Sequence, residues 1–249
     1  MIALSPETAE VLHAVGRIRA IEPYTLVGGT ALALRLQHRS SQDLDFAIES
    51  RRLDRRAIDN VIRTLERAGF AVTQYPCDFT RREWENQGFE LDDSQQDFNV
   101  GGVKLSFFIP EFPRDLPEPI LVKRDAPVAE VETGSIRVLN AEALALMKSL
   151  LLVKRTTTRD LFDLVALVRH GVISYRQVFD WQNTYAHGYD YLRSRLLHAV
   201  QPPDDPGVQP LDKALPSDFT ALQVLLASAM DEYEQQVAAE ALAGKTKGS

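Results

Sequence analysis

Residues 24–46 read YTLVGGTALALRLQHRSSQDLDF, and this stretch decides the fold prediction. Its first four residues, 24–27, are rich in β-formers and predict a short strand that stops at Gly28-Gly29. Thr30 is a residue type that caps helices, and the apolar residues after it predict a helix over 31–37. The stretch therefore predicts a strand, a glycine turn and a helix in immediate succession.

A second strand is predicted over residues 43–48, and it carries two carboxylates. Alternate side chains of a strand share one face, so Asp43 and Asp45 point the same way while Leu44 and Phe46 point into a core. Two carboxylates held together repel each other and raise a pKa unless a cation lies between them. Paired carboxylate oxygens suit a hard cation such as Mg²⁺.

The glycine pair ahead of the helix predicts an anion site. Glycine lets backbone N–H groups approach a phosphate closely, and the helix N-terminus adds a favourable dipole. Each feature alone has an ordinary structural role, since most Asp-x-Asp pairs are solvated strand faces and most Gly-Gly pairs are tight turns. Together, with Gly29 and Asp43 about 14 residues apart, they favour phosphoryl or nucleotidyl transfer with a metal ion.

Composition excludes several classes of protein. The chain has 249 residues, is 45% hydrophobic and carries a formal net charge of -7, which excludes a wholly disordered chain and disfavours a protein that coats nucleic acid. One cysteine, Cys77, excludes an intrachain disulfide framework and a CxxC zinc site, and five scattered histidines disfavour a histidine-rich one. The first residues lack the features of a signal peptide, and Glu142 and Lys148 interrupt the longest apolar stretch. We therefore expect a cytoplasmic protein with no membrane span.

The rest of the chain predicts an α+β fold with two domains, 1–139 and 140–249. The first is a mixture of strands and helices, and the second is helical. Outside the stretch quoted above, the predicted elements are a helix over 53–68, a hairpin over 97–108 with a Gly101-Gly102 turn, short strands at 120–123 and 135–139, and helices over about 141–155, 158–169 and 220–243.

Two groups of residues resemble one known family. GGTAL at 28–32 followed by HRSSQDLDF at 38–46 is similar to the AbiEii/AbiGii-type nucleotidyltransferase toxins of type IV toxin–antitoxin systems, within the DNA polymerase β nucleotidyltransferase superfamily. A later helical motif of that family places an acid six residues before a lysine and an arginine seven after it. Glu142, Lys148 and Arg155 have that spacing, and RDLFDL follows at 159–164. The family usually has a small residue three positions after the lysine, and here that residue is Leu151. The resemblance covers about residues 20–170.

The resemblance implies a fold and a set of site residues. The fold is a polymerase-β-like core, a mixed sheet with flanking helices, followed by a helical C-terminal half that contributes to the site. Asp43 and Asp45 would bind Mg²⁺ or Mn²⁺, Lys148 would reach the triphosphate, and Asp160 would complete the site. The implied catalytic residues are Asp43, Asp45, Lys148 and Asp160, and the implied nucleotide-binding residues are Gly28, Gly29, Thr30, Arg39, Ser41, Lys148 and Arg159.

The resemblance also implies a reaction and partners. A nucleoside monophosphate would pass from an NTP to a hydroxyl acceptor, for which the 3′ end of a tRNA is the expectation, and a neighbouring gene would encode an antitoxin. No membrane partner is expected. Two other functions stay open, a catalytically weak or inactive nucleotide-binding module and a transferase for a small molecule such as an aminoglycoside.

The sequence departs from the superfamily's pattern at one strand, and two of the implied site residues also fit an ordinary structural role. Enzymes of the superfamily usually carry a third carboxylate on a neighbouring strand, but the predicted strand 103–108 offers only Ser106 and Lys104. Either the site uses fewer protein ligands, with Asp160 or another acid compensating, or activity is reduced or lost. Lys148 also fits a surface lysine that extends along an amphipathic helix, and Asp160 fits ordinary pairing on a helix surface.

Overall fold

The computed structural model describes residues 3–75, 88, 91–112, 116, 120–122, 124–125 and 136–246, so Cys77 lies outside it. The chain divides into two compact units, residues 1–144 and residues 145–249.

The first unit is built on one mixed sheet, which within the described residues has seven strands in the order β3-β4-β5-β2-β1-β7-β6. Strand β1 is antiparallel to β2 and parallel to β7, and β2 is parallel to β5. The strands are β1 Thr25–Val27, β2 Leu44–Ala47, β3 Val72–Gln74, β4 Gln95–Val100, β5 Val103–Phe108, β6 Arg124–Asp125 and β7 Arg137–Leu139. The helices are α1 Pro6–Gly16, α2 Gly28–Leu36, α3 Arg55–Arg67 and the start of α4 Ala141–Leu151.

An aromatic cluster forms the centre of this unit. The Phe107 ring is fully buried, and its centroid lies 5.2 Å from that of Tyr24, 5.8 Å from that of Phe46 and 6.3 Å from that of Phe98. Because strand side chains alternate, the neighbouring residue Ser106 lies on the opposite face of the sheet. One face of the central strands is therefore apolar, and the other is left to polar residues.

The second unit consists of helices. After the remainder of α4 it contains α5 Thr158–Arg169, α6 Tyr175–Tyr185, α7 Tyr189–Leu197 and α8 Phe219–Thr246. Helix α8 packs against the three helices before it. Phe179 lies at the centre of this packing, with ring centroids 5.3 Å from Tyr189 and 5.1 Å from Tyr233.

The α+β class, with its mixed sheet and its helical C-terminal half, is confirmed, but some predicted boundaries are wrong. Helix α2 begins at Gly28 with Val27 as its N-cap, so Thr30 lies in the first turn and does not cap the helix. Residues 120–122 form a 3-10 turn instead of a strand; residues 123 and 135 of the predicted strands lie outside the described residues.

Helix α4 ends at Leu151, four residues earlier than predicted. Its continuation is a turn whose carbonyl groups bond elsewhere. Arg195 Nε donates to the Leu152 carbonyl at 3.1 Å, and Arg195 Nη2 donates to the Lys154 carbonyl at 2.8 Å. In the part of the chain that the structure covers, no helix has both the length and the apolar character that crossing a bilayer would require.

Replacement of Phe107 by alanine tests the aromatic centre. We expect Phe107→Ala to lower the free energy of unfolding by about 3–5 kcal/mol, because it removes a buried ring and leaves a cavity. Phe108→Ala is the matched control, since the Phe108 side chain is half-buried and lies on the other face. Urea unfolding of both variants measures the difference, and equal losses would contradict this account of the core.

Candidate active site

The first glycine of the pair lies against a carboxylate. The β1–β2 register places Val27 opposite Asp45, and Gly28 follows Val27 with a φ of +72°. A Cβ atom on Gly28 would overlap Asp45 Oδ2. Glycine is required here on two grounds, its left-handed backbone and the close approach of the Asp45 side chain.

The second glycine lies against a guanidinium group. A Cβ atom on Gly29 would overlap Arg39 Nη2 and would lie 3.3 Å from Ser41 Oγ. Arg39 is only 3% exposed, and its Nη1 donates to the Ser40 carbonyl at 2.9 Å. The structure thus places a buried positive charge beside the first turn of α2.

Thr30 links this turn to the segment that leads into β2. Its Oγ1 lies within hydrogen-bonding distance of Ser41 Oγ, at 2.9 Å, and of the main-chain carbonyl of Asp43. The N-cap residue of α2, Val27, makes no side-chain capping bond to the first N–H groups of the helix. A helix N-terminus of this kind, with a cation beside it, suits a phosphate group.

The two predicted metal ligands lie at the start of β2. Asp45 is within the strand and Asp43 immediately precedes it, and both residues are half-buried. In the part of the chain that the structure describes, no three or more His, Cys, Asp or Glu residues are close enough to hold a metal ion. Two carboxylates fit Mg²⁺ all the same, because that ion is usually held by one or two carboxylates together with substrate phosphates and water.

A buried ionic cluster surrounds Lys148 in the second unit. Its Nζ lies 3.0 Å from Asp160 Oδ1 and 2.7 Å from Asp163 Oδ2. The Lys148 side chain is 7% exposed, and those of Asp160 and Asp163 are 1% and 0% exposed. The surface alternatives for Lys148 and Asp160 are therefore wrong, because both groups are buried and, as buried charges must be, paired.

Asp160 is held in its ionised form. Burial raises its pKa, but the charges of Lys148 and Arg155 and the hydrogen bonds from Thr157 and Lys148 outweigh burial and hold the pKa below its ordinary value. Arg155 Nε lies 3.0 Å from Asp160 Oδ2, and Thr157 Oγ1 donates to the same oxygen at 2.8 Å. Thr157 also caps α5 by accepting from the Asp160 N–H.

Arg159, one of the implied nucleotide-binding residues, contacts a loop of the second unit, while Arg155 pairs with the Asp160 carboxylate. Arg159 Nε donates to the Gly207 carbonyl at 3.1 Å, in a loop that also carries Asp205. Asp205 Oδ2 accepts from the N–H and the hydroxyl of Thr158, both at 2.7 Å. This loop therefore caps the start of α5, the helix that carries Asp160.

One residue of the cluster was missed from the predicted site. Asp163 is fully buried and pairs with Lys148, but it is not among the residues that the resemblance implies for the site. Its position three residues after Asp160 places both on one helix face, and that spacing is the signal that could have identified it.

A comparison with known families assigns the chain. The model of a family described as "Nucleotidyl transferase AbiEii toxin, Type IV TA system" matches residues 16–240. The chain belongs to the AbiEii nucleotidyltransferase toxin family. The match includes every residue of the predicted site and extends beyond the segment that carries the sequence resemblance.

Solved structures were also compared with this AbiEii-family chain. JHP933 from Helicobacter pylori is 19% identical, with coverage of 99% of this chain and 100% of that one and a TM-score of 0.47. MenT4, a nucleotidyltransferase toxin from Mycobacterium tuberculosis H37Rv, is 15% identical, with coverage of 89% and 80% and a TM-score of 0.44. A search of curated protein sequences found no match. The assignment to the AbiEii family rests on the family model alone.

Gly28→Ala tests the approach of the glycine to Asp45. We expect this variant of the AbiEii-family protein to bind each Mg²⁺–NTP at least about tenfold more weakly than wild type, because the new methyl group displaces the carboxylate. Gly102→Ala is the matched control, since Gly102 has a φ of +90° and, among the described residues, no atom lies within 4 Å of an added Cβ. Both variants carry backbone strain of about 1–2 kcal/mol, but only the first meets Asp45. Calorimetric titration with NTP would contradict this expectation if both variants bound equally well.

The ionisation of Asp160 predicts how stability depends on pH. A folded-state pKa below the ordinary value of 3.8 contributes stability that is present above that value and is lost as the pH falls through the folded-state pKa. Asp160→Asn should therefore be less stable than wild type at neutral pH, and the difference should shrink in acid. Urea unfolding at a series of pH values, with the exposed Asp190→Asn as control, measures this. A difference that stays constant with pH would contradict it.

Proposed function

We propose that this protein transfers a nucleoside monophosphate from an NTP to a hydroxyl acceptor, with the 3′ end of a tRNA as the acceptor. It would act as the toxin of a type IV toxin–antitoxin pair. The observation that carries the proposal is the approach of the Asp45 carboxylate to Gly28, at the N-terminus of α2. A helix N-terminus and two carboxylates thus lie close together, as the binding of a phosphate beside a metal ion would require, and the family assignment supports the proposal.

The phosphates of the nucleotide would lie at the start of α2. The N–H groups of Gly29 and Thr30 are in the first turn, where backbone donors have no partner within the helix. Arg39 lies beside the same turn and would neutralise part of the charge on the β- and γ-phosphates. Ser41 and Thr30 would keep this turn and the Asp43 segment in a fixed arrangement.

Asp43 and Asp45 would hold one or two Mg²⁺ or Mn²⁺ ions. Such an ion neutralises charge on the α-phosphate and lowers the pKa of a hydroxyl bound to it. The acceptor hydroxyl would lose its proton to water, and its oxygen would form a bond to the α-phosphorus while the bond from that phosphorus to the α–β bridging oxygen breaks. Pyrophosphate would leave. No side-chain nucleophile is required, so catalysis would consist of positioning and electrostatic stabilisation.

We also propose that Lys148 and Arg159 bind the nucleotide and that Asp160 completes the site. An ammonium group has three N–H donors, and the contacts of Lys148 with Asp160 and Asp163 use two of them. The third donor would bind an oxygen of the triphosphate. Asp160 and Asp163 would then act as positioning residues, because they fix the Lys148 side chain.

The partners follow from the same proposal. The formal net charge of -7 means that contact with RNA would be local, since neutralisation of a nucleic-acid backbone requires clustered Lys and Arg. An antitoxin encoded nearby would complete the pair, and the protein would act in the cytoplasm.

Transfer of label tests the proposed reaction. We expect the purified protein, with Mg²⁺, one α-³²P-labelled NTP at a time and total cellular RNA, to place label in the tRNA band. Asp45→Asn should reduce the rate by about 10²- to 10³-fold, the range found when one electrostatic stabiliser is removed. Chelation of Mg²⁺ with EDTA should abolish transfer by wild type.

Asp59→Asn is the control for this experiment, because Asp59 is an exposed carboxylate on α3 of the same unit. It should transfer label at the wild-type rate. NTP binding without transfer to any acceptor would support the non-catalytic module, and label on an aminoglycoside in place of RNA would support the small-molecule transferase. Absence of both binding and transfer would reject the proposed function.

A further inference from the structure

A row of three polar residues crosses the sheet of the first unit. Asp45 on β2 pairs with Ser106 on the parallel strand β5, and Ser106 pairs with Asp97 on the antiparallel strand β4. Directly paired residues lie on the same face of a sheet, so the three side chains share the face opposite the aromatic core. Adjacent strands are about 4.8 Å apart, which places the Asp97 backbone roughly 10 Å from that of Asp45.

Two oxygen atoms in this row have no hydrogen-bond partner in the part of the chain that the structure describes. Ser106 is 2% exposed, and among the described residues neither its Oγ nor the buried Oδ1 of Asp97 has a partner. The other oxygen of Asp97 is engaged, since Oδ2 accepts from Gln95 Nε2 at 2.9 Å and lies 3.6 Å from Lys104 Nζ. Buried polar atoms without partners are rare in native proteins, and each calls for a physical reason.

The hydrogen-bonding properties of Ser106 Oγ and Asp97 Oδ1 indicate which kind of ligand could bind there. A divalent cation is disfavoured, because Lys104 already lies beside Asp97 and the described residues include no cluster of three metal-ligating side chains. A phosphate is disfavoured by the Asp97 charge. The Asp97 oxygen can accept from a neutral donor, and the Ser106 hydroxyl can both donate and accept. A hydroxyl group, or the two vicinal hydroxyl groups of a ribose, can donate to the Asp97 oxygen and can donate to or accept from Ser106.

We propose that Ser106 Oγ and Asp97 Oδ1 form a subsite for a ribose hydroxyl. The distance from Asp45, roughly 10 Å between the backbones of Asp45 and Asp97, is one that a single nucleotide can span. The inference rests on the proposed function, because the ribose belongs to a nucleotide held by the site. Two riboses share this chemistry, that of the incoming NTP and that of the terminal nucleotide of the RNA acceptor. The subsite makes the enzyme select ribonucleotides over their deoxy counterparts.

The experiment compares ribose with deoxyribose in two arms. The first measures binding of each NTP and of its 2′-deoxy and 3′-deoxy analogues by calorimetric titration. The second measures transfer to a tRNA whose last nucleotide is either ribose or 2′-deoxyribose, since the deoxy end still offers a 3′-hydroxyl. We expect wild type to prefer the ribose form over the deoxyribose form by about tenfold or more, either in NTP affinity or in the rate of transfer to tRNA. The arm that shows this preference identifies which of the two riboses the subsite binds.

Ser106→Ala is the decisive variant, because it removes the Oγ atom of the proposed subsite and leaves the strand intact. We expect Ser106→Ala and Asp97→Ala to reduce the ribo-to-deoxy ratio toward one. Lys104→Met is the matched control; it removes the ion pair with Asp97 and should keep the wild-type ratio. Thermal melting checks that each variant is folded.

The outcomes separate this inference from the function on which it rests. Transfer by wild type with no ribo preference, or with a ratio that Ser106→Ala leaves unchanged, overturns the subsite and leaves the proposed function standing. A preference that follows the base and not the sugar also overturns it. Failure of wild type to bind any NTP or to transfer label rejects both.

Discussion

The antiparallel pairing of β1 with β2 is the constraint on which the first unit depends. It places Asp45 opposite Val27, so that the carboxylate reaches the glycine at which α2 begins. A shift of one residue would turn Asp45 into the core and Phe46 out of it. The stacking of Phe46 on Phe107, with ring centroids 5.8 Å apart, opposes that shift. The aromatic core therefore fixes the position of the acidic site on the opposite face.

The two units hold their carboxylates by different means. In the first, Asp43 and Asp45 are half-buried beside a helix N-terminus. In the second, Asp160 is buried and ionised because Lys148 and Arg155 surround it. The first arrangement suits carboxylates that bind and release a charged substrate. The second suits a carboxylate that must keep one geometry throughout the reaction.

Local sequence signals predicted the parts of the fold that depend on local geometry. The strand, glycine pair and Asp-x-Asp pattern over 24–46 indicated the family, and the two-glycine turn at 101–102 predicted the β4–β5 hairpin. That turn also fixes the register of Asp97 with Ser106, although the alignment of both with Asp45 needed the parallel pairing of β2 with β5. Contacts between distant residues determine features that local signals did not predict. The end of α4 is one, since Arg195 binds the Leu152 carbonyl, 43 residues away in sequence.

The buried charges around Lys148 constrain how this protein can change over generations. A substitution that removes Lys148, Asp160 or Asp163 takes a partner away from a buried charge, so it impairs folding whether or not the residue has a role in chemistry. A descendant that no longer needed its activity would still be selected to keep all three. Asp43 and Asp45 are half-buried, so we expect a smaller folding penalty for replacing either of them than for replacing the three buried groups. In the family, the carboxylates of the first unit are therefore the better record of which members still act on a substrate.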